Sequence, residues 1–506
     1  MSAYGEVQPR DAHNERLLAS VHPSDWTNPE PAERYNLVVL GAGTAGLVTA
    51  AGAAGLGAKV ALVERHLMGG DCLNVGCVPS KSLIRSARAA HDARDAGRFG
   101  VHTGGEVTVD FPAVMERVRR IRADISANDS ARRFQELGVD VFLGEGRFTG
   151  EDTVEVAGRT LRFARAVVAT GARAVEPDVP GLAEAEFLTN ETVFSLTERP
   201  ERLAVLGAGP LGCELAQAFQ RLGCRVTQVE RKDQVLTRED PDAAAVVAEA
   251  MRRDGVDVRL ATTLARVERT DTGKRLHLQT PDGEAVVEVD EILVGAGRAP
   301  NVQGMGLETV GVAYDDRHGI EVDDRLRTTN PRIFAAGDVC LKYKFTHTAD
   351  AAARIVLQNA LFWGRKKVSA LTIPWCTYTD PEIAHVGAYE AGARERGIEV
   401  DTFTERFEDV DRALADGEAE GLLKVHLRQG TDHLLGATLV ARHAGETISE
   451  LTLAMTAGVG LGKVASTIHP YPTQAEAVKH VADAFNRTRL TPRTRTLFEW
   501  ILSKRR

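Results

Sequence analysis

The chain has 506 residues, with 62 Lys and Arg against 71 Asp and Glu, a formal net charge of −9. That length suits several domains, and the mild acidity argues against nucleic acid as a main partner. Six cysteines in so long a chain suit a reducing compartment, no apolar run is long enough to span a membrane, and the N-terminus lacks the apolar core of a signal peptide. A cytoplasmic location is the expectation.

Residues 1–34 are polar and carry Pro23, Pro29 and Pro31; they read as a surface arm or a partly disordered leader. Tyr35 to Leu40 then forms a buried strand by composition. Gly41-Ala42-Gly43-Thr44-Ala45-Gly46 follows, then an alanine-rich helix and a second strand from Lys59 to Val63, ending at Glu64. This is a dinucleotide fingerprint. The glycines permit a tight turn and close approach to a pyrophosphate, the helix N-terminus holds the anion, and the acid takes ribose hydroxyls.

Gly69-Gly70-Asp71-Cys72-Leu73-Asn74-Val75-Gly76-Cys77-Val78-Pro79-Ser80-Lys81 comes next. Pro79 suits the first turn of a helix, which places Cys77 against a helix N-terminus that favours a thiolate. Lys81, four residues on, shares that face. The pair reads as a dithiol that closes to a disulfide and reopens, although a structural disulfide or half a zinc site would show the same spacing. Only these two cysteines are closely spaced, so no zinc framework is completed and no resident metal is expected.

Helical patterns run on to about Gly97, and Phe111 to Leu137 reads as one long surface helix. Val139 to Leu143 and a hairpin-like region to Phe163 follow, then an apolar strand from Ala166 ending at Thr170-Gly171. Val175 to Pro180 looks like a linker. The fingerprint recurs as Arg202 to Leu206, Gly207-Ala208-Gly209-Pro210-Leu211-Gly212, a helix holding Glu214, and a strand from Cys224 that ends at Glu230. An acid at position 230 favours the free 2′-hydroxyl of NADH over NADPH, while Arg231 and Lys232 would suit the phosphate. Ile292 to Asn301 contains Gly297, and Arg332 to Asp338 is a strand ending in Gly-Asp, either an ordinary turn or a ligand-facing acid. From about Val368 the character changes. Val425 to Leu427 and Gly436 to Val440 read as strands, Glu446 to Ala457 as a helix, and His469-Pro470-Tyr471-Pro472-Thr473-Gln474-Ala475-Glu476 opens another helix, to Asn486. From Arg487 the chain is basic, with Leu497, Phe498, Trp500, Ile501 and Leu502 interleaved. It reads as a surface helix packed on its own domain or as a weak peripheral membrane contact.

This order of motifs resembles the class I pyridine nucleotide–disulfide oxidoreductases, in particular their mercuric reductase-like and dihydrolipoamide dehydrogenase-like members, over about Tyr35 to Asn486. The resemblance implies an α/β fold with two Rossmann-like dinucleotide-binding domains, for FAD and NAD(P), and a C-terminal α+β dimerisation domain. The expected boundaries are an arm at 1–34, the FAD domain at 35–180, the NAD(P) domain at 181–298, its FAD/central continuation at 299–367, the dimerisation domain at 368–486 and the tail at 487–506.

Residue by residue, it implies that Gly41, Gly43, Gly46, Glu64, Gly70, Gly146, Thr170, Gly171, Asp338 and Thr346 line FAD. Gly207, Gly209, Gly212, Glu230 and Gly297 would bind NADH or NADPH. Lys81 and Glu214 would form an ion pair beside the flavin, with Cys77 the proximal thiol and Cys72 the distal thiol that attacks substrate. Hydride would pass from nicotinamide to flavin, and an electron pair from there to the Cys72–Cys77 disulfide and on to a disulfide or other small acceptor. A homodimer would bring Tyr471 and Glu476 to Cys72 of the partner subunit.

Where disulfide reductases of the family place a catalytic histidine, this chain has Tyr471, with His469 two residues earlier. An ordinary tyrosine titrates near pH 10 and is a poor base at neutrality, which counts against lipoamide or glutathione turnover. A tyrosine there is like mercuric reductases, but no cysteine follows Cys376 to form the vicinal pair that hands over the metal. A metal-ion reductase and a dihydrolipoamide dehydrogenase-like complex subunit are therefore the alternatives.

Overall fold

In the computed structural model, which describes residues 7–506, the strand Tyr35–Leu40 stands inside a seven-stranded sheet. Val139–Leu143, Val60–Glu64, Tyr35–Leu40, Arg159–Val168 and Ile333–Ala335 lie side by side in that order, all parallel. Their near-continuous apolar runs suit strands covered on both faces. The N-terminal half of Arg159–Val168 also pairs antiparallel with Thr153–Val156, which pairs with Gly146–Gly150. Because Tyr35–Leu40 has the next strand in sequence on one side and a later one on the other, the chain reverses winding at its carboxyl end. Ligands of such sheets bind at that point.

The chain divides into two compact units, one running to Gly207 with Ala218–Val229 and Thr263–Ala370, the other made of Ala208–Gln217, Glu230–Thr262 and Leu371–Arg506. The first holds the large sheet and a second parallel set, Arg225–Val229, Arg202–Leu206 and Glu291–Val294, in that order. It also holds an antiparallel meander of Thr263–Thr270, Gly273–Thr280 and Gly283–Val289.

Residues 1–6 of the expected arm lie outside the described residues, but the rest is built into the first unit. Helix Ala12–Val21 is capped by Asp11, which accepts from Asn14 N at 2.8 Å, and it buries Leu17 and Val21. Asn28 donates to Leu143 O at 3.0 Å and accepts from Leu143 N at 2.7 Å. Its amide thus imitates a neighbouring strand on the edge strand Val139–Leu143, an edge that would otherwise invite pairing with another chain. The polar composition concealed this, because polar side-chain ties add to the burial of only a few apolar residues.

The long helix expected over 111–137 is two helices, Phe111–Ser126 and Ala131–Glu136. Ser130 takes the N-cap of the second, accepting from Arg133 N at 3.3 Å, and so breaks the run. The first helix is not a simple surface helix either. Arg119 and Arg122 are buried on it, because Asp11 and Asn14 of the N-terminal helix accept their N–H groups at 2.5 Å each.

In the second unit a five-stranded antiparallel sheet runs Pro374–Thr377, Glu382–Gly387, Leu434–Ala441, Leu422–Arg428 and Val400–Arg406. Helices Ala444–Thr456 and Glu476–Thr488 bury Ile448, Leu451, Val478, Val481 and Phe485 in the same core as the strand residues Val425 and Leu439. The last of these helices starts at Glu476 rather than at His469, since Pro470 and Pro472 lack the N–H groups a helix interior needs.

His385 lies fully buried in this sheet, 3.7 Å ring to ring on Tyr389 and 4.6 Å from Trp375. Nδ1 accepts from Thr438 Oγ1 at 2.8 Å and Nε2–H donates to Gly387 O at 3.2 Å, the pattern of a neutral ring. Burial pushes the imidazole down from 6.5 to about 3, outweighing the nearby Asp240. With the folded value depressed, the ring contributes stability above 6.5 that is lost as pH falls towards about 3. Urea melts between those limits should show that loss, and His385→Gln should flatten the profile; an unchanged slope would refute the assignment.

Candidate active site

Gly41 joins the first strand to helix Thr44–Gly55 at φ 100°, and a Cβ there would lie 2.4 Å from Ala169 O. A Cβ on Gly46 would lie 1.8 Å from Gly41 O, so turn and helix touch backbone to backbone. No side chain caps the helix at Gly43 and no acid stands in its first turn. Its N–H groups therefore face outward with a partial positive charge, which suits a pyrophosphate. A Cβ on Gly70 would come within 2.6 Å of Gly43 Cα, which sets Gly70 beside this turn. One on Gly146 would lie 2.9 Å from Val63 Cγ1, which sets Gly146 over the end of the second strand.

Glu64 accepts from Ala42 N at 2.7 Å and from His66 N at 2.8 Å, and burial raises its carboxyl despite both bonds. Thr170 Oγ1 donates to Asn301 O at 2.8 Å, Asn301 Nδ2 donates back to Thr170 O at 2.9 Å, and Gly171 follows at φ 70°. Asp338 comes just after the strand Ile333–Ala335, with its carboxyl raised by burial against the pull of Arg298 and Lys344. An uncapped helix, a buried acid at Glu64, a half-buried one at Asp338 and a cradle that a Cβ would fill are what FAD requires of a site, and these residues fit it.

Cys72 sits on the short helix Gly70–Asn74, and Cys77 is the first residue of helix Cys77–Asp95, after Gly76. Cys77 is exposed and Cys72 half-buried. Cys77 Sγ lies 3.3 Å from Thr346 Oγ1, the first residue of helix Thr346–Leu361, so the residue expected near the flavin touches the dithiol. Hydrogen bonding to Cys77 pushes the Cys72 thiol far up, with burial adding to it. Two sulfurs so close do not both carry charge. Cys77 stands at a helix N-terminus, a place that favours a thiolate. Lys81 lies one turn further along the same helix.

Arg298 is the residue that motif spacing left without a role. It follows Gly297 in the strand Arg298–Pro300, which pairs with Ala172–Ala174. Its guanidinium pairs with Asp71, donates to Ala172 O at 2.6 Å, and stands 3.7 Å from Asp338 Oδ2. The partners lie more than 200 positions away along the chain in the case of Asp71, so no local signal announces them.

In the second unit the nucleotide turn resumes at Ala208. Glu230 Oε2 accepts from Ala208 N at 2.8 Å and Oε1 from Lys232 N at 3.0 Å. Gly209 precedes helix Pro210–Arg221, which contains Gly212 and Glu214. Gly207, at the end of the first unit's strand Arg202–Leu206, has φ 104°, and Gly297 has φ 128°. Glu214 is buried and accepts from Tyr378 N at 2.9 Å.

Tyr471 is 69% exposed, and its hydroxyl donates to Asp411 Oδ2 at 2.9 Å. That bond, then the charges of Asp411 and Glu476, raise the phenol above its usual range. The carboxylate on Tyr471 is thus Asp411, 60 residues away and invisible to motif reading. Glu476 opens helix Glu476–Thr488 and has its Oε1 3.9 Å from His480 Nε2. His469 is held by Glu450 at 2.9 Å with its side chain 6% exposed, so it is committed elsewhere and leaves position 471 to the tyrosine. Among the described residues no group of His, Cys, Asp and Glu forms a metal site, and no helix is long and apolar enough to cross a membrane.

Residues 35–353 match the pyridine nucleotide-disulphide oxidoreductase family, and residues 373–482 match that family's dimerisation domain. The chain is 38% identical over 456 residues to a mercuric reductase of Streptomyces lividans, covering 89% of this chain and 96% of that one. It is 33% identical over 453 residues to a dihydrolipoyl dehydrogenase of Chlamydia muridarum, covering 88% and 95%. Among solved structures, the HOCl-induced flavoprotein disulfide reductase RclA of Escherichia coli superposes with a TM-score of 0.79 at 28% identity, over 89% of this chain and 99% of that one. The dimerisation domain supports a homodimer. With both domains matched and relatives aligned along most of its length, the chain belongs to the class I pyridine nucleotide–disulfide oxidoreductases, enzymes that use FAD and NAD(P)H.

Proposed function

We propose that this enzyme takes electrons from NADH and delivers them through the Cys72–Cys77 pair to a small disulfide or other small electron acceptor. FAD, when bound, supplies the two-electron relay between nicotinamide and disulfide. Gly41, Gly43, Gly46, Glu64 and Gly70 would hold its adenosine and pyrophosphate, with Asp338 and Thr346 nearer the reacting end. Cys77 holds the negative charge of the reduced pair, and Cys72 keeps its proton until an acceptor is attacked. Opening the disulfide requires two electrons and one proton for the pair, because one sulfur stays ionised.

The observation that carries this reading is the Cys72–Cys77–Thr346 cluster, with Cys77 at the head of a helix. On the acceptor side, Tyr471 paired with Asp411 is a hydrogen-bond donor rather than a base. That favours acceptors needing little proton transfer at Cys72. Anaerobic titration with NADH and NADPH, then turnover with lipoamide, glutathione disulfide, Hg(II), Cu(II) and quinones, tests it. Fast lipoamide turnover would contradict the reading of Tyr471. Hg(II) reduction is the second reading, supported by the relatives named mercuric reductase.

The tail forms helix Pro492–Ser503, in which no residue is buried and Leu497, Phe498, Trp500 and Leu502 are exposed. Arg487, Arg489, Arg493 and Arg495 precede these apolar residues and Lys504, Arg505 and Arg506 follow them. We infer a weak contact with anionic membrane surfaces. Full-length protein should sediment with phosphatidylserine vesicles at low salt and a truncation at Thr491 should not; equal behaviour would remove the idea.

A further inference from the structure

The helix that carries Cys72 is five residues long, entered through Gly69 at φ 90° and Gly70 at φ 56° and left at Gly76. So short a helix does not hold itself, and its place depends on tertiary ties. At its carboxyl end those ties go to backbone carbonyls: Arg122 Nη1 donates to Asn74 O at 2.8 Å and Asn190 Nδ2 to Val75 O at 3.3 Å. At its amino end Gly69 N donates to Ala42 O at 2.8 Å and Asn74 Nδ2 to Gly70 O at 2.9 Å, and the side-chain tie from Asp71 is ionic, to Arg298. Arg298 is anchored in its turn by Ala172 O and faces Asp338, the acid expected at the cofactor.

We propose that Arg298 is a positioning residue for the dithiol, which through its ion pair with Asp71 clamps the Cys72 helix to the strand that faces Asp338. One guanidinium serves two carboxylates, so the clamp joins the cofactor-facing acid to the residue next to Cys72. Arg298 has 27% of its side chain exposed, so the pair is only partly screened. Losing the clamp removes the ionic hold on Asp71 while the backbone bond from Gly69 stays, which loosens the turn carrying Cys72, makes that thiol more accessible and leaves Cys77, on its own long helix, in place. The FAD part of this rests on the reading of Asp338 given above.

The test is the rate of iodoacetamide alkylation at Cys72 and Cys77 in NADH-reduced holoenzyme, followed by peptide mass spectrometry, for D71N, R298M and the double variant. Both single variants should speed Cys72 labelling by about tenfold, with Cys77 little changed, and the double variant should not exceed the faster single one. R298K should restore part of the protection. A through-space charge effect would instead move the two singles in opposite directions, because removing Asp71 favours a nearby thiolate and removing Arg298 disfavours it. Opposite directions, multiplying effects in the double variant, or wild-type labelling in D71N would each overturn the proposal. Loss of flavin in R298M alone, with D71N still protected, would confine Arg298 to the cofactor. Wild-type protein without flavin absorbance would sink the cofactor reading itself, a result distinguishable from the others.

Discussion

Cys77→Ser should abolish the long-wavelength absorbance of the two-electron-reduced enzyme, whereas Cys72→Ser should keep that band while losing acceptor turnover. The band reports a thiolate against the flavin, so it follows the sulfur that holds the charge. Cys77 stands first in its helix, exposed, with Thr346 Oγ1 3.3 Å away. Cys72 is driven towards the neutral thiol, first by its hydrogen bond to Cys77 and then by burial. Serine at 72 can still hydrogen-bond to a Cys77 thiolate, so the charge and the band survive. Neither variant can form the disulfide, and turnover should fall at least about a thousandfold, roughly 4 kcal/mol of barrier. Stopped-flow spectra with NADH would decide it. Loss of the band in Cys72→Ser would reverse the two roles.

The second large effect concerns the electron donor. kcat/KM with NADH should exceed that with NADPH by about 10- to 100-fold, roughly 1.4–2.8 kcal/mol. The two fingerprints close in the same way atom for atom. Glu64 accepts from Ala42 N and His66 N, and Glu230 accepts from Ala208 N and Lys232 N, with all four distances between 2.7 and 3.0 Å. A carboxylate locked at the strand end suits a ribose with both hydroxyls free and repels a 2′-phosphate. Glu230→Gln should narrow the preference to a few-fold, chiefly by lowering KM for NADPH. Glu64→Gln should lower flavin content and leave the preference as it was. A wild-type enzyme that favours NADPH would overturn the argument and hand the phosphate to Arg231 or Lys232.

Much of this was legible along the chain because it is written in short-range terms. A strand, a glycine turn, a helix and an acid follow one another within about 30 residues, so the first fingerprint and its copy can be read from spacing alone. The same holds for Cys77 before Pro79: helix Cys77–Asp95 starts where the proline allows it. Two breaks had different causes. Ser130 divided what periodicity read as one helix through a local cap that an apolar period does not register, and Asn28 turned a supposed arm into the cover of a sheet edge through a partner 115 positions away.

By itself, the sequence determined the kind of enzyme, since nucleotide turns and a dithiol at a helix head depend on backbone geometry that neighbouring residues dictate. Tertiary structure alone decided what surrounds the chemistry: Thr346 on Cys77, Arg298 between Asp71 and Asp338, Asp411 on Tyr471 and Glu450 on His469. Each of these is a contact between side chains distant in sequence. Hydrogen bonds and ion pairs of that kind leave no periodicity to read, because their energy depends on separation in space and not on separation along the chain.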